Sequence, residues 1–276
     1  MHETAYAKIN LALHVRGREP DGYHRLETLF AFAGDGDRLT VAPSDDLGLT
    51  IIGEFAPLID SGNDNLVIRA AQALRARFGV PCGASLHLEK RLPVAAGIGG
   101  GSADAAAALR LLRRFWMLPA SDEDLFGIAR GLGADVPACL ASRTVRGEGR
   151  GDDLLPAAGR LADFALLLVN PRRPLATASV FGRWDGVDRG PLGNGDPLAA
   201  AAAGRNDLET AACTLVPEIA EILRALRATG GVRLVRMSGS GATCFALYAG
   251  DDDRARAAAR IRSDHPRWWQ CETRLR

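Results

Sequence analysis

Residues 93–104 read Pro-Val-Ala-Ala-Gly-Ile-Gly-Gly-Gly-Ser-Ala-Asp, and an alanine- and leucine-rich run follows directly. A glycine-packed loop that feeds a helix constrains a fold tightly. The first turn of a helix has backbone N–H groups without intrahelical partners and carries partial positive charge. Glycines just upstream let the backbone take positive φ and approach an anion with no Cβ in the way. A phosphate is the natural guest, and a flexible turn is the alternative.

Three common loops are excluded. A Walker A loop needs a lysine after its last glycine, and none follows here. A dinucleotide fingerprint in this register needs glycine at 102, where Ser102 stands. Neither serine fits a Gly-x-Ser-x-Gly elbow, since Ser240 is preceded two residues earlier by Ser238 and Ser102 is followed two later by Asp104.

With 276 residues there is room for roughly two domains, and 47% apolar with 24% charged residues suits a globular protein with a sizeable core. A net charge of +1 gives no reason to expect a nucleic-acid or anionic-membrane partner. The arginines from Arg254 to Arg276 are interleaved with Asp251, Asp252, Asp253, Asp264 and Glu272, which reads as a solvated surface. No apolar run approaches a transmembrane length, and the start of the chain carries Glu3 and no apolar signal core. Cys82, Cys139, Cys213, Cys244 and Cys271 are scattered singly, with no Cys-x-x-Cys pair. Reduced, mostly buried thiols in a cytoplasmic protein are expected.

Within residues 5–15, Ile9, Leu11, Leu13 and Val15 share one face and Lys8, Asn10, Ala12 and His14 the other. This predicts a half-buried strand with Lys8 and Asn10 on its second face. Further strands are expected at 26–33, 37–42, 47–52 and 84–90. A helix starts at Asn65, with Asp64 as cap and Gly79 as stop. The glycine loop leads into a helix over about 102–116. Ser121 caps the next, which has acidic residues in its first turn and stops near Gly131 and Gly133. Residues 156–159 read as a linker. Beyond it the pattern gives strand 163–169, helices at about 175–184, 206–213 and 216–228, and strands 232–237 and 243–249. Helix 252–263 and strand 268–274 complete a β-α-β-β-α-β, ferredoxin-like unit, with 186–205 as a surface connection that has room for a short helix.

Three further segments carry candidate chemistry. Lys8 in its apolar strand either snorkels at an edge or serves a site. Behind it, Asp21-Gly22 is a common hairpin turn, and Tyr23 and His24 either stack on a planar ligand or pack the hairpin end. Asp135, in Gly133-Ala134-Asp135-Val136-Pro137, follows a helix end whose dipole disfavours an acid, so it caps the next segment or does chemistry. Met237-Ser238-Gly239-Ser240-Gly241-Ala242 is either a hairpin turn or a second small-residue loop facing phosphates.

Together, and in this order, these segments resemble the GHMP kinase superfamily over nearly the whole chain. Its motif P-x-x-x-G-[LI]-G-x-[GS]-S-[AS] is met by Pro93, Val94, Ala95, Ala96, Gly97, Ile98, Gly99, Gly100, Gly101, Ser102 and Ala103. The Lys8–Asn10 strand, the Gly22-Tyr23-His24 turn, the triple glycine and Asn206-Asp207-Leu208-Glu209 are similar to the branch acting on 4-diphosphocytidyl-2-C-methyl-D-erythritol. Two stretches depart from the pattern. Ala103 stands where many members have a second serine, and residues 143–152 follow the family's glycine-rich stretch only loosely.

The resemblance implies an α+β fold of two domains: residues 1–155, ATP-binding and ribosomal protein S5 domain 2-like, and residues 156–276, ferredoxin-like, with the site in the cleft between these domains. It implies transfer of the γ-phosphoryl of ATP to a tertiary 2-hydroxyl, with Asp135 as general base and Lys8 as its basic partner. Residues 93–103 would cradle the phosphates, with Ser102 near Mg²⁺ and Asn63 and Asn65 near the nucleotide base. Asn10, Tyr23, His24 and Phe181 would hold the cytidine end of the acceptor, and Gly239, Ser240 and Gly241 would also line the substrate site. A small-molecule substrate, no nucleic acid or membrane partner, and a monomer or weak homodimer are expected. A homoserine- or mevalonate-type kinase would share the ATP loop without the Gly-Tyr-His turn, and a non-catalytic relative would lack Lys8 or Asp135.

Overall fold

Strand alternation at the start of the chain produces two long strands, β1 (His2–Arg18) and β2 (His24–Ala42). The computed structural model describes residues 1–157, 159, 161 and 164–276. After β2 come β3 (Leu47–Ile52), a 3-10 turn (Ala56–Leu58), α1 (Leu66–Phe78) and β4 (Ala84–Glu89). They are followed by α2 (Gly100–Phe115), α3 (Asp122–Leu132), α4 (Val136–Ala141), β5 (Val145–Glu148) and β6 (Asp153–Pro156). Next are β7 (Ala165–Asn170), α5 (Thr177–Phe181), α6 (Pro197–Ala203), α7 (Glu209–Leu215) and α8 (Glu218–Arg227). The chain ends with β8 (Val232–Met237), β9 (Cys244–Tyr248), α9 (Asp251–Asp264) and β10 (Trp269–Arg274).

Several expectations are corrected. β1 is buried on both faces from Ala7 to Val15, not half-buried, because its polar residues are covered and hydrogen-bonded. The strands expected at 26–33 and 37–42 are one strand. Gly34-Asp35-Gly36 does not turn; Gly36 lies so close to β1 that a Cβ there would sit 1.9 Å from the Ala5 carbonyl oxygen. Helix α1 is capped by Asn65, whose side chain accepts from Val67 N, and not by Asp64; Gly79 ends it at φ 64°. α2 starts two residues early because Gly99, at φ 62°, takes the N-cap position. The helix expected near 175–184 is one short turn, α5. Two cysteines are buried and Cys82 is exposed. The expected linker 156–159 and strand 163–169 include Ala158 and Asp163, which lie outside the described residues.

The chain divides into two compact units, and it passes between them within β1, within β2, around residues 95–98 and after Ser142. The first unit is Met1–Ala7, Asp35–Val94 and Gly99–Ser142. In it the second half of β2 pairs antiparallel with β4, and β3 pairs parallel with β4. A parallel pair needs a crossover, which α1 supplies. α2 packs on α1 and α4, and its residues from Ala103 to Leu109 are all buried. Such a helix needs small side chains on every face, which the alanine run provides.

The second unit is Lys8–Gly34, Ala95–Ile98 and Arg143–Arg276. The first half of β2 pairs with β5, and β5 with β6. A separate antiparallel sheet has the order β10-β7-β9-β8, the ferredoxin-like arrangement of its four strands. α8 and α9 bury Ile219, Ile222, Leu226, Ala258 and Ile261 in one core with Leu167, Val169, Ala246 and Tyr248.

One buried cation organises this unit. Arg236 on β8 donates to the carbonyls of Leu11 (2.5 Å), Ala201 (2.7 Å) and Gly204 (2.6 Å). Arg236→Met keeps the stem and strands those carbonyls, each orphan costing about 1–3 kcal/mol. The expected result is a urea midpoint lowered by the equivalent of about 3 kcal/mol with an unchanged m-value.

Candidate active site

In the second unit the glycine loop is held by its carbonyl groups. Ala95 O accepts from Leu175 N (3.4 Å), Ala96 O from Thr243 N (3.1 Å) and Ile98 O from Lys8 N (3.0 Å). Gly97 O accepts from the Ser238 hydroxyl (2.9 Å). A trans peptide points its N–H opposite to its C=O. With the carbonyls of residues 95–97 turned onto the body of the unit, the N–H groups of Ala96, Gly97 and Ile98 face the other way. Among the described residues no backbone carbonyl accepts from these three N–H groups. A row of outward N–H groups is a concave anion-binding surface.

The second small-residue loop is the surface against which the first is pressed. A Cβ at Gly97 would lie 2.3 Å from Ser238 O, and one at Gly239 would lie 2.8 Å from Gly97 O. Ser238 Oγ accepts from Asn10 N (3.1 Å) while donating to Gly97 O, so one hydroxyl joins β1 to both loops. Asn206 donates to Met237 O and Gly239 O, both at 2.8 Å, and fixes the second loop from beneath. Ser240 shares a 3.0 Å hydroxyl contact with Thr177, and Gly241 has φ 85°.

β1 places Lys8 and Asn10 beside these loops. Lys8 is buried, with its ammonium 4.8 Å above the centre of the Phe30 ring, an attraction between cation and ring face. Asn10 is buried and donates through Nδ2 to Thr28 Oγ1 at 2.8 Å. At the start of β2, His24 lies 4.9 Å from the Phe181 ring and meets Trp184 edge-on at 5.6 Å. Burial, reinforced by Arg18, holds the His24 imidazole below its ordinary pKa. Tyr23 is exposed, and the Arg150 guanidinium covers its ring at 3.9 Å.

The first unit holds the rest of the candidate residues. Gly100, Gly101 and Ser102 form the first turn of α2, and Ala103 N is the first to bond back, to Gly99 O at 2.8 Å. Pro93 and Ala103 are buried, and Ser102 is half-buried. Asn65 spends its side chain on the α1 cap and on Asp60 O (2.7 Å), while Asn63 accepts from Gln72 (3.4 Å). Asp135 is half-buried at the N-cap position of α4, and makes no side-chain cap bond. It follows the end of α3, as expected, and also opens α4, where the helix dipole favours an acid.

A buried cluster in the same unit was not foreseen. Lys90 donates to Asp37 (2.5 Å) and Asp104 (2.7 Å), and Asp37 also accepts from the N–H groups of Arg91 (2.6 Å) and Leu92 (2.8 Å). It thus ties the segment before Pro93 to the first turns of α2. A Cβ at Gly100 would lie 3.1 Å from Lys90 Nζ. One ammonium faces two carboxylates, which leaves a negative charge in excess. Burial, with Asp37 adding to it and Lys90 opposing, pushes the Asp104 carboxyl up to about 7. Burial also works against the Lys90 ammonium, but Asp104 and Asp37 outweigh it and its pKa is raised.

The model of the GHMP kinases N terminal domain matches residues 65–143, and that of the GHMP kinases C terminal domain matches residues 191–267. The 4-diphosphocytidyl-2-C-methyl-D-erythritol kinase of Rhizorhabdus wittichii is 55% identical, over 100% of this chain and 96% of its own. That of Sphingopyxis alaskensis is 52% identical, over 100% and 99%. A crystal structure of 4-(cytidine 5'-diphospho)-2C-methyl-D-erythritol kinase superposes with a TM-score of 0.81 at 36% identity, over 100% of this chain and 99% of that one. The chain belongs to the 4-diphosphocytidyl-2-C-methyl-D-erythritol kinase family of the GHMP kinases.

In this GHMP kinase the supporting roles of Thr28, Asn206, Ser238, Asp37, Lys90 and Asp104 emerge only from the fold. Asn206 and Ser238 lie within the motifs, so a signal was present. Thr28 and Lys90 act through partners 18 and 53 residues away, and nothing local marks them.

The Asp104 cluster makes stability depend on pH. Between about pH 4 and the folded value of about 7, the folded protein keeps a proton that the unfolded chain has released. Stability falls as pH rises through that window and levels off above it. Asp104→Asn should remove this slope, so its urea midpoint relative to the parent should be higher at pH 8 than at pH 5. Parallel curves for the two proteins would rule the titration out.

Proposed function

We propose that this GHMP kinase transfers the γ-phosphoryl group of ATP to the 2-hydroxyl of 4-diphosphocytidyl-2-C-methyl-D-erythritol, a step of the non-mevalonate route to isopentenyl diphosphate. Full-length identity above 50% to kinases of that name carries the reading. The carbonyl-tethered glycine loop supports it independently, since its outward N–H groups suit phosphate oxygens.

In this reading the N–H groups of Ala96, Gly97 and Ile98 and the first turn of α2 hold the phosphates of ATP. Phosphoryl transfer asks mainly for positioning and charge neutralisation. Asp135 accepts the proton of the attacking hydroxyl, and the Lys8 ammonium neutralises charge on that oxygen and on the transferred group. Among the described residues no group of three His, Cys, Asp or Glu side chains could hold a metal ion. Mg²⁺ takes most of its ligands from phosphates and water, and in this reading the hard hydroxyl oxygen of Ser102 would be the protein's donor. Bound there, the ion would neutralise phosphate charge.

The acceptor's cytidine end is assigned to the aromatic wall of His24 and Phe181, with Tyr23 at its rim and Asn10 beneath. The loop Gly239-Ser240-Gly241 lines the same region. The five cysteines are free, which supports a reducing, cytoplasmic setting. No helix among the described residues is long and apolar enough to cross a membrane. Small molecules are the partners in this reading, without nucleic acid, and the protein acts as a monomer or weak homodimer. The domains are taken as 1–155 and 156–276.

The test offers labelled ATP with 4-diphosphocytidyl-2-C-methyl-D-erythritol, homoserine and mevalonate in parallel; only the first should be phosphorylated. Asp135→Asn keeps shape and removes the proton acceptor. Turnover should fall about 10²–10⁴-fold, the usual worth of a general base, while ATP affinity by calorimetry changes little.

A second measurement addresses the cytidine end. A stacked base contributes about 1–3 kcal/mol. His24→Ala should therefore raise the KM for the acceptor about ten-fold and leave that for ATP in place. CMP and CDP should compete with the acceptor and not with ATP. If neither competes at millimolar concentration, the acceptor belongs to another branch of the superfamily.

A further inference from the structure

A primary amide has two orientations of nearly the same shape, one presenting oxygen and the other nitrogen to a given side. What selects between them at Asn10 is Thr28. The Thr28 hydroxyl has one proton, and it is given to Ala12 O at 2.6 Å. The lone pairs left on Oγ1 can only accept, so the amide must turn its N–H toward them, at 2.8 Å. Turned over, Asn10 Oδ1 would meet those lone pairs, and Ala12 O would have to lose its donor to relieve the clash. Both side chains are buried, Asn10 at 2% and Thr28 at 1% exposure. The backbone of Asn10 is fixed as well, through its N–H to Ser238 Oγ at 3.1 Å.

This arrangement leaves Asn10 Oδ1 as a buried acceptor with no partner among the described residues. Gly239 packs next to it, where a Cβ would lie 3.2 Å from that oxygen. An unmade hydrogen bond at a buried carbonyl is unfavourable, and a ligand that brings a donor recovers it. A hydroxyl or amino group can do so. A phosphate oxygen cannot. The two neighbouring polar surfaces are thus opposite in kind, since the glycine loop offers N–H donors and Asn10 offers an acceptor.

We propose that Thr28 is a positioning residue for the acceptor substrate: by locking the Asn10 amide, it commits Asn10 to receive a hydrogen bond from a hydroxyl or amino group of that substrate and not from ATP phosphates. The proposal rests on the reading of Asn10 as an acceptor contact, and it adds the group that sets the polarity of that contact.

Steady-state kinetics with 4-diphosphocytidyl-2-C-methyl-D-erythritol and ATP varied separately test it, on Thr28→Val, Thr28→Ser, Asn10→Ala and Asn10→Ala with Thr28→Val. Valine keeps the volume and removes the hydroxyl, while serine keeps the hydroxyl. Thr28→Val should raise the KM for the acceptor about five-fold or more, the worth of one hydrogen bond, with the KM for ATP unmoved. Thr28→Ser should restore it. Because Thr28 acts through Asn10, the double variant should be no worse than Asn10→Ala alone. If Thr28→Val shows no cooperative thermal transition, Thr28→Ala takes its place under the same criteria. An unchanged acceptor KM in the folded variant, equal rises in both KM values, or additive losses in the double variant would overturn the proposal. Should Asn10→Ala itself leave the acceptor KM unchanged, the reading of Asn10 fails first; a rise there without one at Thr28 leaves that reading standing and removes only the role of Thr28.

Discussion

The glycine loop of the second unit hangs on the backbone contact between residues 95–98 and the loop Ser238–Gly241. Two polypeptide backbones meet there with no side chain between them, since a Cβ at Gly97 or Gly239 would stand within 3 Å of the opposite chain. Glycine is required on both sides for the same reason. The closeness lets each carbonyl of the loop reach a donor within the unit. A loop whose carbonyls are all engaged has little freedom left, so its N–H groups are set before any anion arrives. Preorganised dipoles of this kind need no rearrangement when charge develops, which is the economical way to bind a transferring phosphoryl group.

The same contact explains what the sequence discloses and what it hides. Gly97, Gly99, Ser121 and Gly79 are legible because their effects are local: a positive φ, a cap, a stop. The ferredoxin-like strand order is legible from the succession of apolar runs, since the four strands take the order β10-β7-β9-β8. The continuity of β2 is not, because Gly34-Asp35-Gly36 looks like a turn until the backbone of β1 is known to lie against Gly36. Asn65 and Asp64 are equally good caps on paper, and only geometry chooses Asn65. Asn10 and Lys8 were visible as polar breaks in an apolar strand. Their supports were not, because Ser238 reaches Asn10 across 228 residues.

Buried polar groups are placed unevenly in this protein. Arg236 finds three carbonyl acceptors and Asn206 finds two, so these groups brace the fold with their donors satisfied, although burial works against the Arg236 charge. Asp104 and Asn10 are different, for each keeps one buried oxygen without a donor. At Asp104 the imbalance falls within an ion cluster, where a proton on the carboxyl can relieve it. An amide carbonyl has no such relief near neutral pH, and under the proposal a substrate donor supplies it for the Asn10 oxygen.

That difference bears on why the two oxygens sit where they do. Asp104 lies in the second turn of α2, below the glycines, and its cluster joins the two ends of the phosphate loop. A full negative charge there would lower the positive potential that the helix N-terminus offers to phosphate. A carboxyl pushed up to about 7 carries that charge only in part near neutral pH, so the cluster can act as a tether while opposing anion binding weakly. Asn10 carries no charge at all, and under the proposal an acceptor beside the N–H groups of the glycine loop disfavours phosphate oxygen by the sign of its dipole. In that reading the two substrates are separated by hydrogen-bond polarity, through neutral groups whose orientation is fixed by neighbours from β2 and the β8–β9 loop.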